Sequence, residues 1–294
     1  MTATPPAAVL ACVPLVLAAS AGCAARTAAP ATGLVRANGI ELYYEASGSG
    51  APLVLIEGLG VATWSWERQV PEFARHFRTI VYDNRGAGLS SKPAGPYTIG
   101  QMADDLAGLL DGLGIERAHV VGASMGGMVA QEFALRYPAR VDRLVLVATT
   151  AGGATHVPMT PETLARFFAP AAPGREGIRD RLRLAVSDSF LATSYAERMI
   201  DVRLAEPQPS HAFHAQAAAG ATFDRSATVS QIVAPTLIAA GTADVIVPVA
   251  NARFLAERIP DSRLVMYEGL GHQFFVEAPD RFNRDVIDFL QQRR

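Results

Sequence analysis

The chain has 294 residues, of which 50% are hydrophobic and 18% charged, with a formal net charge of −2. That length allows one large α/β domain or two small ones with a sizeable core, and the apolar content excludes a disordered or fibrous chain. So small a net charge gives no electrostatic reason to expect nucleic acid or an anionic membrane surface as partner.

Residues 1–25 contain no Asp, Glu, Lys or Arg; Arg26 is the first charge. Within them, AAVLACVPLVLAASAGC has the length of a signal-peptide h-region and, interrupted by Pro14, is too short for a membrane span. Ser20, Ala21 and Gly22 lead into Cys23, which resembles a bacterial lipoprotein signal whose cysteine becomes the lipidated first residue. The resemblance implies a tether to the membrane through Cys23 and a place in the cell envelope or outside the cell, with residues 1–32 as leader and tether. The alternative is an Ala-rich extension on a cytoplasmic enzyme. Cys12 and Cys23 are the only cysteines, so everything after residue 23 lacks both a disulfide and a thiol for catalysis or zinc.

Asn38-Gly39 separates two strand-like stretches, LVRA and IELYYEA, and signals a hairpin. Strands and helices then alternate. PLVLIEG predicts a strand and roughly 64–74 a helix; FRTIVYD predicts a strand. TIGQMADDLAGLLDGLG predicts an amphipathic helix begun by Thr98 and stopped at Gly112 to Gly114. HVVGA is a strand before the helix MGGMVAQEFALRY, and RLVLVAT is another strand. PTLIAAG, a helix over 249–258, RLVMYEG and a helix over 279–292 close the pattern. Such alternation predicts an α/β fold, a mostly parallel sheet with helices on both faces. Residues 152–230 break it: they are Ala-rich and helix-prone, without a buried strand, and carry Phe167, Phe168, Phe190, Tyr195, Met199, Phe213 and Phe223. They are expected to form an inserted helical cap over a core of residues 33–151 and 231–294, with most of these aromatics forming the cap's own core.

Gly122-Ala123-Ser124-Met125-Gly126 follows a strand and opens a helix, the context that a G-x-S-x-G nucleophile elbow requires. The turn is sharp, so the residues two before and two after the serine must lack side chains. The Met125 N–H lies at a helix N-terminus, which favours an anion. A serine hydroxyl needs a base, and the base an orienting acid; in this fold their order is Ser, acid, His. Of the histidines after Ser124, His272 alone comes directly after a late strand, in RLVMYEGLGH. Asp244, in the turn after PTLIAAG, is the expected acid. Asp261 lies on the opposite edge of the sheet, Asp224 falls inside the cap, and the loop TTAGG offers no carboxylate. His211 and His214 are three apart, but no third metal ligand is in view, and exposed cap positions are expected for both.

These residues resemble the α/β-hydrolase family from about residue 34 to 292. YDNRGAGLS at 82–90 looks like a turn of its esterase, enol-lactonase, carbon–carbon hydrolase and cofactor-free haloperoxidase branches, where Asp83 and Arg85 are expected to brace the loop. Serine at 124 argues against the epoxide hydrolases and haloalkane dehalogenases, whose nucleophile is an aspartate. G-A-S-M-G-G is particularly like the enol-lactonase and antibiotic methylesterase branches. The resemblance implies hydrolysis of an ester or lactone through an acyl-enzyme on Ser124, with His272 as base and Asp244 as its partner. Its oxyanion hole would use the backbone N–H groups of Met125 and Leu59. The same triad would serve a carbon–carbon bond hydrolase or perhydrolase; a non-catalytic binding lipoprotein is the reading from another class. No metal or organic cofactor is implied. The expected partner is a moderately apolar small molecule, and oligomeric state is not readable.

The loop that would carry Leu59 reads Glu57-Gly58-Leu59-Gly60, where many relatives have His-Gly. An acid at this point has the wrong sign to face an oxyanion. Glu57 is expected to be an ionised carboxylate turned away from the site and held by backbone N–H groups or a basic neighbour; the alternative is a buried, protonated acid.

Overall fold

A computed structural model of the protein describes residues 1–2, 30–169 and 174–292. The expected leader and Cys23 lie outside the described residues. The chain opens with a hairpin, β1 (Ala31–Ala37) and β2 (Ile40–Ser47), paired antiparallel so that Ala37 faces Ile40. Asn38 and Gly39 both take positive φ, 49° and 77°, as a tight hairpin turn requires. β1 begins at Ala31, two residues inside the stretch expected as tether.

Then come β3 (Pro52–Ile56), the short helix α1 (Val70–Phe73), β4 (Arg78–Tyr82), α2 (Ile99–Gly112), β5 (Ala118–Ala123), α3 (Met125–Arg136) and β6 (Val141–Val147). The single helix expected over 64–74 is broken into a 3-10 turn, Thr63–Trp66, and α1. Pro71 lies at the start of α1, and proline is tolerated only in the first turn of a helix. Thr98 caps α2 through a reciprocal pair, its hydroxyl accepting from the Gln101 N–H and the Gln101 side chain accepting from the Thr98 N–H.

Five helices follow before the next strand: α4 (Pro161–Phe168), α5 (Arg175–Leu182), α6 (Asp188–Leu191), α7 (Ser194–Ala205) and α8 (Ser210–Ala221). They occupy the segment expected as the inserted cap. The chain then resumes with β7 (Thr236–Gly241), α9 (Ala250–Arg258), β8 (Ser262–Tyr267), α10 (Phe274–Glu277) and α11 (Pro279–Leu290).

The eight strands form one sheet in the order β1-β2-β4-β3-β5-β6-β7-β8. Among the described strands of this sheet, only the β1–β2 and β2–β4 pairings are antiparallel. β5 and β7 are buried at every residue, the mark of a parallel strand covered on both faces. One core cluster packs Val54, Ile56, Ile80 and Val120 against α2 and α3, and the other packs Leu53, Leu55, Val121 and Val145 against α10 and α11. Alternate residues of each strand thus feed opposite faces.

The cap joins the core at a narrow neck where its two ends run side by side. Gly152 bridges Asp224 antiparallel, the Arg225 N–H donates to the Ala151 carbonyl at 2.8 Å, and the Gly153 N–H to the Phe223 carbonyl at 3.2 Å. Arg225 grips the buried Glu132 of α3 with two bonds of 2.5 and 2.9 Å. Buried Asn251 of α9 holds the cap's first segment: its Oδ1 accepts from the Val157 N–H at 2.9 Å and its Nδ2 donates to the Val157 carbonyl at 2.8 Å.

Candidate active site

β5 runs directly into Ser124, whose backbone has φ 55° and ψ −119°, a combination that L-residues avoid. The surroundings impose it. The Ser124 N–H donates to the Val147 carbonyl at 2.8 Å, while its own carbonyl accepts from the Gly127 N–H at 2.9 Å and the Thr149 hydroxyl at 2.8 Å. A Cβ on Gly122 would overlap the Gly126 carbonyl, and one on Gly126 would overlap the Ile56 carbonyl and lie 2.6 Å from that of Glu57. The two glycines therefore let β5, α3 and the end of β3 meet at one point. Among the described residues nothing hydrogen-bonds the Ser124 hydroxyl.

Asp244 and His272 come from the loops after β7 and β8, at the same carboxyl ends of the strands. Asp244 Oδ1 accepts from the N–H groups of Ile246 and Val247, each at 2.8 Å, which aims Oδ2 at His272 Nδ1, 2.7 Å away. A carboxylate can only accept, so Nδ1 carries the proton and Nε2 is left as the basic nitrogen.

The loop after β3 lies against the serine. A Cβ on Gly58 would sit 3.1 Å from Ser124 Cβ and 3.6 Å from its Oγ. Neither the Leu59 N–H nor the Met125 N–H donates a hydrogen bond among the described residues. The cap covers this loop and the turn after β4: the half-buried Phe213 ring of α8 would lie 3.1 Å from a Cβ on Gly60, and Gln208 Nε2 donates to the Gly86 carbonyl of that turn at 2.8 Å.

Glu57 is buried, and its side chain turns toward β4, on the side of β3 away from β5. Oε1 accepts from the Asn84 N–H at 2.7 Å, Asn84 Nδ2 donates to the Glu57 carbonyl at 3.3 Å, and Oε2 is buried without a partner. The direction matches the expectation, and of the two expected holders it is a backbone N–H that meets the carboxyl, since no ion pair among the described residues includes Glu57. Burial pushes its carboxyl well above the usual range, and Asp83 adds to the rise, against which the N–H groups of Asn84 and Glu57 itself act more weakly.

Asp83 and Arg85 are braces. Asp83 accepts from the Thr63 and Leu89 N–H groups at 2.8 and 2.7 Å, and Arg85 binds Asp105 through two bonds of 2.6 and 2.7 Å. His211 and His214 are exposed, the first meeting the Lys92 carbonyl and the second the Ser210 hydroxyl. Asp224 caps the turn at Ser226, and His156 bonds Thr150 and Asn251. Of the cap's large apolar residues, Phe190, Met199 and Phe223 are buried, in clusters shared with the sheet rather than in a core of the cap's own, and Phe168 is exposed.

One residue escaped the sequence reading. Arg203, near the end of α7, lays its guanidinium over the Trp64 ring at 4.8 Å, and its Nη1 is buried without a hydrogen-bond partner. Burial lowers its pKa to about 10. Trp64 belongs to the turn that follows the Glu57–Gly60 loop. Nothing local distinguishes Arg203 from the other arginines of α5 and α7, so only the folded structure singles it out.

A profile of the family described as alpha/beta hydrolase fold matches residues 51–279. A protein of Caulobacter sp. (strain K31) named "Putative carbamate hydrolase RutD" is 32% identical over 255 residues, 85% of this chain and 95% of that protein. A 2-hydroxy-6-oxo-6-phenylhexa-2,4-dienoate hydrolase of Comamonas testosteroni is 33% identical over 265 residues, 86% of this chain and 92% of its own length. Among solved structures, the enol-lactonase from Burkholderia xenovorans LB400 superposes with a TM-score of 0.76 at 31% identity, covering 88% of this chain and 100% of that one.

Proposed function

This chain belongs to the alpha/beta hydrolase fold family, and on that premise we propose that it is a serine hydrolase cleaving a carboxylic ester or lactone through an acyl-enzyme on Ser124. The observation that carries the reading is the 2.7 Å bond from His272 Nδ1 to an Asp244 carboxylate already fixed by two backbone N–H groups. It leaves Nε2 as base at the end of the sheet where a strained Ser124 presents a free hydroxyl.

In this mechanism Nε2 takes the Ser124 proton as Oγ attacks the acyl carbonyl. The tetrahedral oxyanion accepts from the Leu59 and Met125 N–H groups, the latter at the positive end of the twelve-residue α3. Losing one such donor typically costs ~3–4 kcal/mol of transition-state stabilisation. Collapse passes the proton from His272 to the leaving alkoxide and leaves Ser124 acylated. Water deprotonated by His272 then attacks the acyl carbon, and Oγ departs with the proton as the acid is released. Asp244 stabilises the imidazolium in both halves.

The test is labelling by a fluorophosphonate together with hydrolysis of p-nitrophenyl esters and lactones. Both are expected in the wild type, and Ser124→Ala should abolish labelling and cut the ester rate at least about a thousandfold. A folded wild type that does not label would overturn the reading in favour of a binding protein.

A second reading, a carbon–carbon hydrolase using the same triad on an anionic dienoate, is favoured by Arg203. This guanidinium beside Trp64, its Nη1 buried, has no carboxylate partner among the described residues, and the Comamonas testosteroni relative is named for a dienoate substrate. Under this reading Arg203→Met raises KM for the dienoate roughly tenfold or more and for neutral esters far less; equal small effects on both would remove it. Separately, we propose that Cys23 is lipidated. Incorporation of radiolabelled palmitate that disappears in Cys23→Ser is the expected result.

A further inference from the structure

Glu57 is buried without a cation, one residue ahead of the glycine that rests on Ser124. Two bonds tie it to the turn after β4: Asn84 N–H to Oε1 at 2.7 Å, and Asn84 Nδ2 to its carbonyl at 3.3 Å. The same carbonyl presses on Gly126, 2.6 Å from where a Cβ would be. The Glu57–Gly58 peptide is therefore fixed from two sides, and the following peptide supplies the Leu59 N–H.

A charged carboxylate has poor support here. Oε2 is buried with no hydrogen-bond partner, and the nearby backbone N–H groups of Asn84 and of Glu57 itself cannot replace the water that an anion gives up. From β4 and its loop, Tyr82, Asp83 and Arg85 face the region; from α2, Asp105, which Arg85 already neutralises. Behind Asp83 stand Glu45 of β2 and Lys92. The first turn of α3 carries no acid. A negative Glu57 would also oppose the oxyanion that forms next to Gly58, in surroundings that screen charge weakly.

We propose that Glu57 is a positioning residue for the oxyanion loop and that it works as a neutral acid, holding the β3 and β4 turns together through Asn84 while placing no charge behind the Leu59 N–H. This rests on the reading of Ser124 and Leu59 given above. Burial and Asp83 raise the Glu57 pKa, so the folded state keeps a proton that the unfolded chain releases. Its contribution to stability is therefore fully present below the ordinary glutamate value of 4.5 and is lost as pH rises through the raised folded value.

The experiment compares wild type, Glu57→Gln and Glu57→Ala by unfolding midpoint and by the rate of fluorophosphonate labelling, from about pH 5 to about pH 9, a range that brackets buried glutamates. Glutamine imitates the protonated acid. It should label within about threefold of the wild type at neutral pH and flatten the fall in midpoint with rising pH; Glu57→Ala, whose loop is loosened, should label about ten- to a hundredfold more slowly. The wild type should lose labelling rate at alkaline pH along a limb absent from Glu57→Gln. Parallel stability profiles for wild type and Glu57→Gln would overturn the neutral acid, and a Glu57→Gln rate as low as that of Glu57→Ala would overturn the positioning role. If the folded wild type fails to label at any pH, the serine-hydrolase reading falls and the positioning role with it, while the midpoints still decide where the proton is.

Discussion

Ser124 keeps its positive φ because neighbouring backbone leaves the elbow no other path, and the glycines on either side make that crowding possible. Gly126→Ala sets a methyl against the Ile56 and Glu57 carbonyls. It should destabilise the fold by about 1–3 kcal/mol, read by denaturant unfolding, and slow fluorophosphonate labelling of the protein that remains folded. Asp244→Asn keeps the shape of the loop but turns an obligate acceptor into a side chain that can donate to Nδ1, favouring the wrong tautomer. The ester rate should drop on the order of 10³–10⁴-fold with KM little changed. The residues behind these expectations were legible because each follows a readable strand: Ser124 after HVVGA, Asp244 after PTLIAAG, His272 after RLVMYEG. The surroundings of Glu57 were not. Its one side-chain partner, Asn84, is 27 positions away, and only the parallel pairing of β3 with β4 brings their turns together.

Among the elements, strands declared themselves by apolar runs, and β3 to β8 lie within a residue or two of their sequence expectations. Helices were legible where a cap or a periodic face marked them, as in α2. The stretch 64–74 failed because Pro71 divides it, and the four-residue α10 is too short to show a period. Within the cap, α8 lacked contrast, since its Ala-rich segment presents no apolar stripe that differs from the rest. What fixes the cap's start is a single buried amide: Asn251 holds both backbone groups of Val157 and also meets His156 and Thr150. Asn251→Ala leaves these groups unpaired and should cost about 2–3 kcal/mol. Faster proteolysis or hydrogen exchange between residues 152 and 160, with the core strands still protected, would be its signature.

Across the whole molecule, each buried titratable group gives proton uptake on folding its own direction. Glu57 and Asp83 are both raised by burial, so each favours the folded state most at low pH and less as pH climbs. His119, lowered by burial from 6.5, acts oppositely: its contribution is present above 6.5 and lost as pH falls through its folded value. The two carboxyls' share of stability should therefore decline as pH rises from their unfolded values through their raised folded ones, and a Glu57→Gln, Asp83→Asn double variant should show a shallower slope than either single variant, whatever its absolute midpoint. The neck at Gly152 and Asp224 bears on the molecule's history as much as on its chemistry. Because the two ends of the cap leave and rejoin the core beside each other, this lid can be exchanged for another of different size or shape without re-threading a strand. A lineage, or an engineer, can thus alter what the enzyme admits while inheriting its reactive groups untouched.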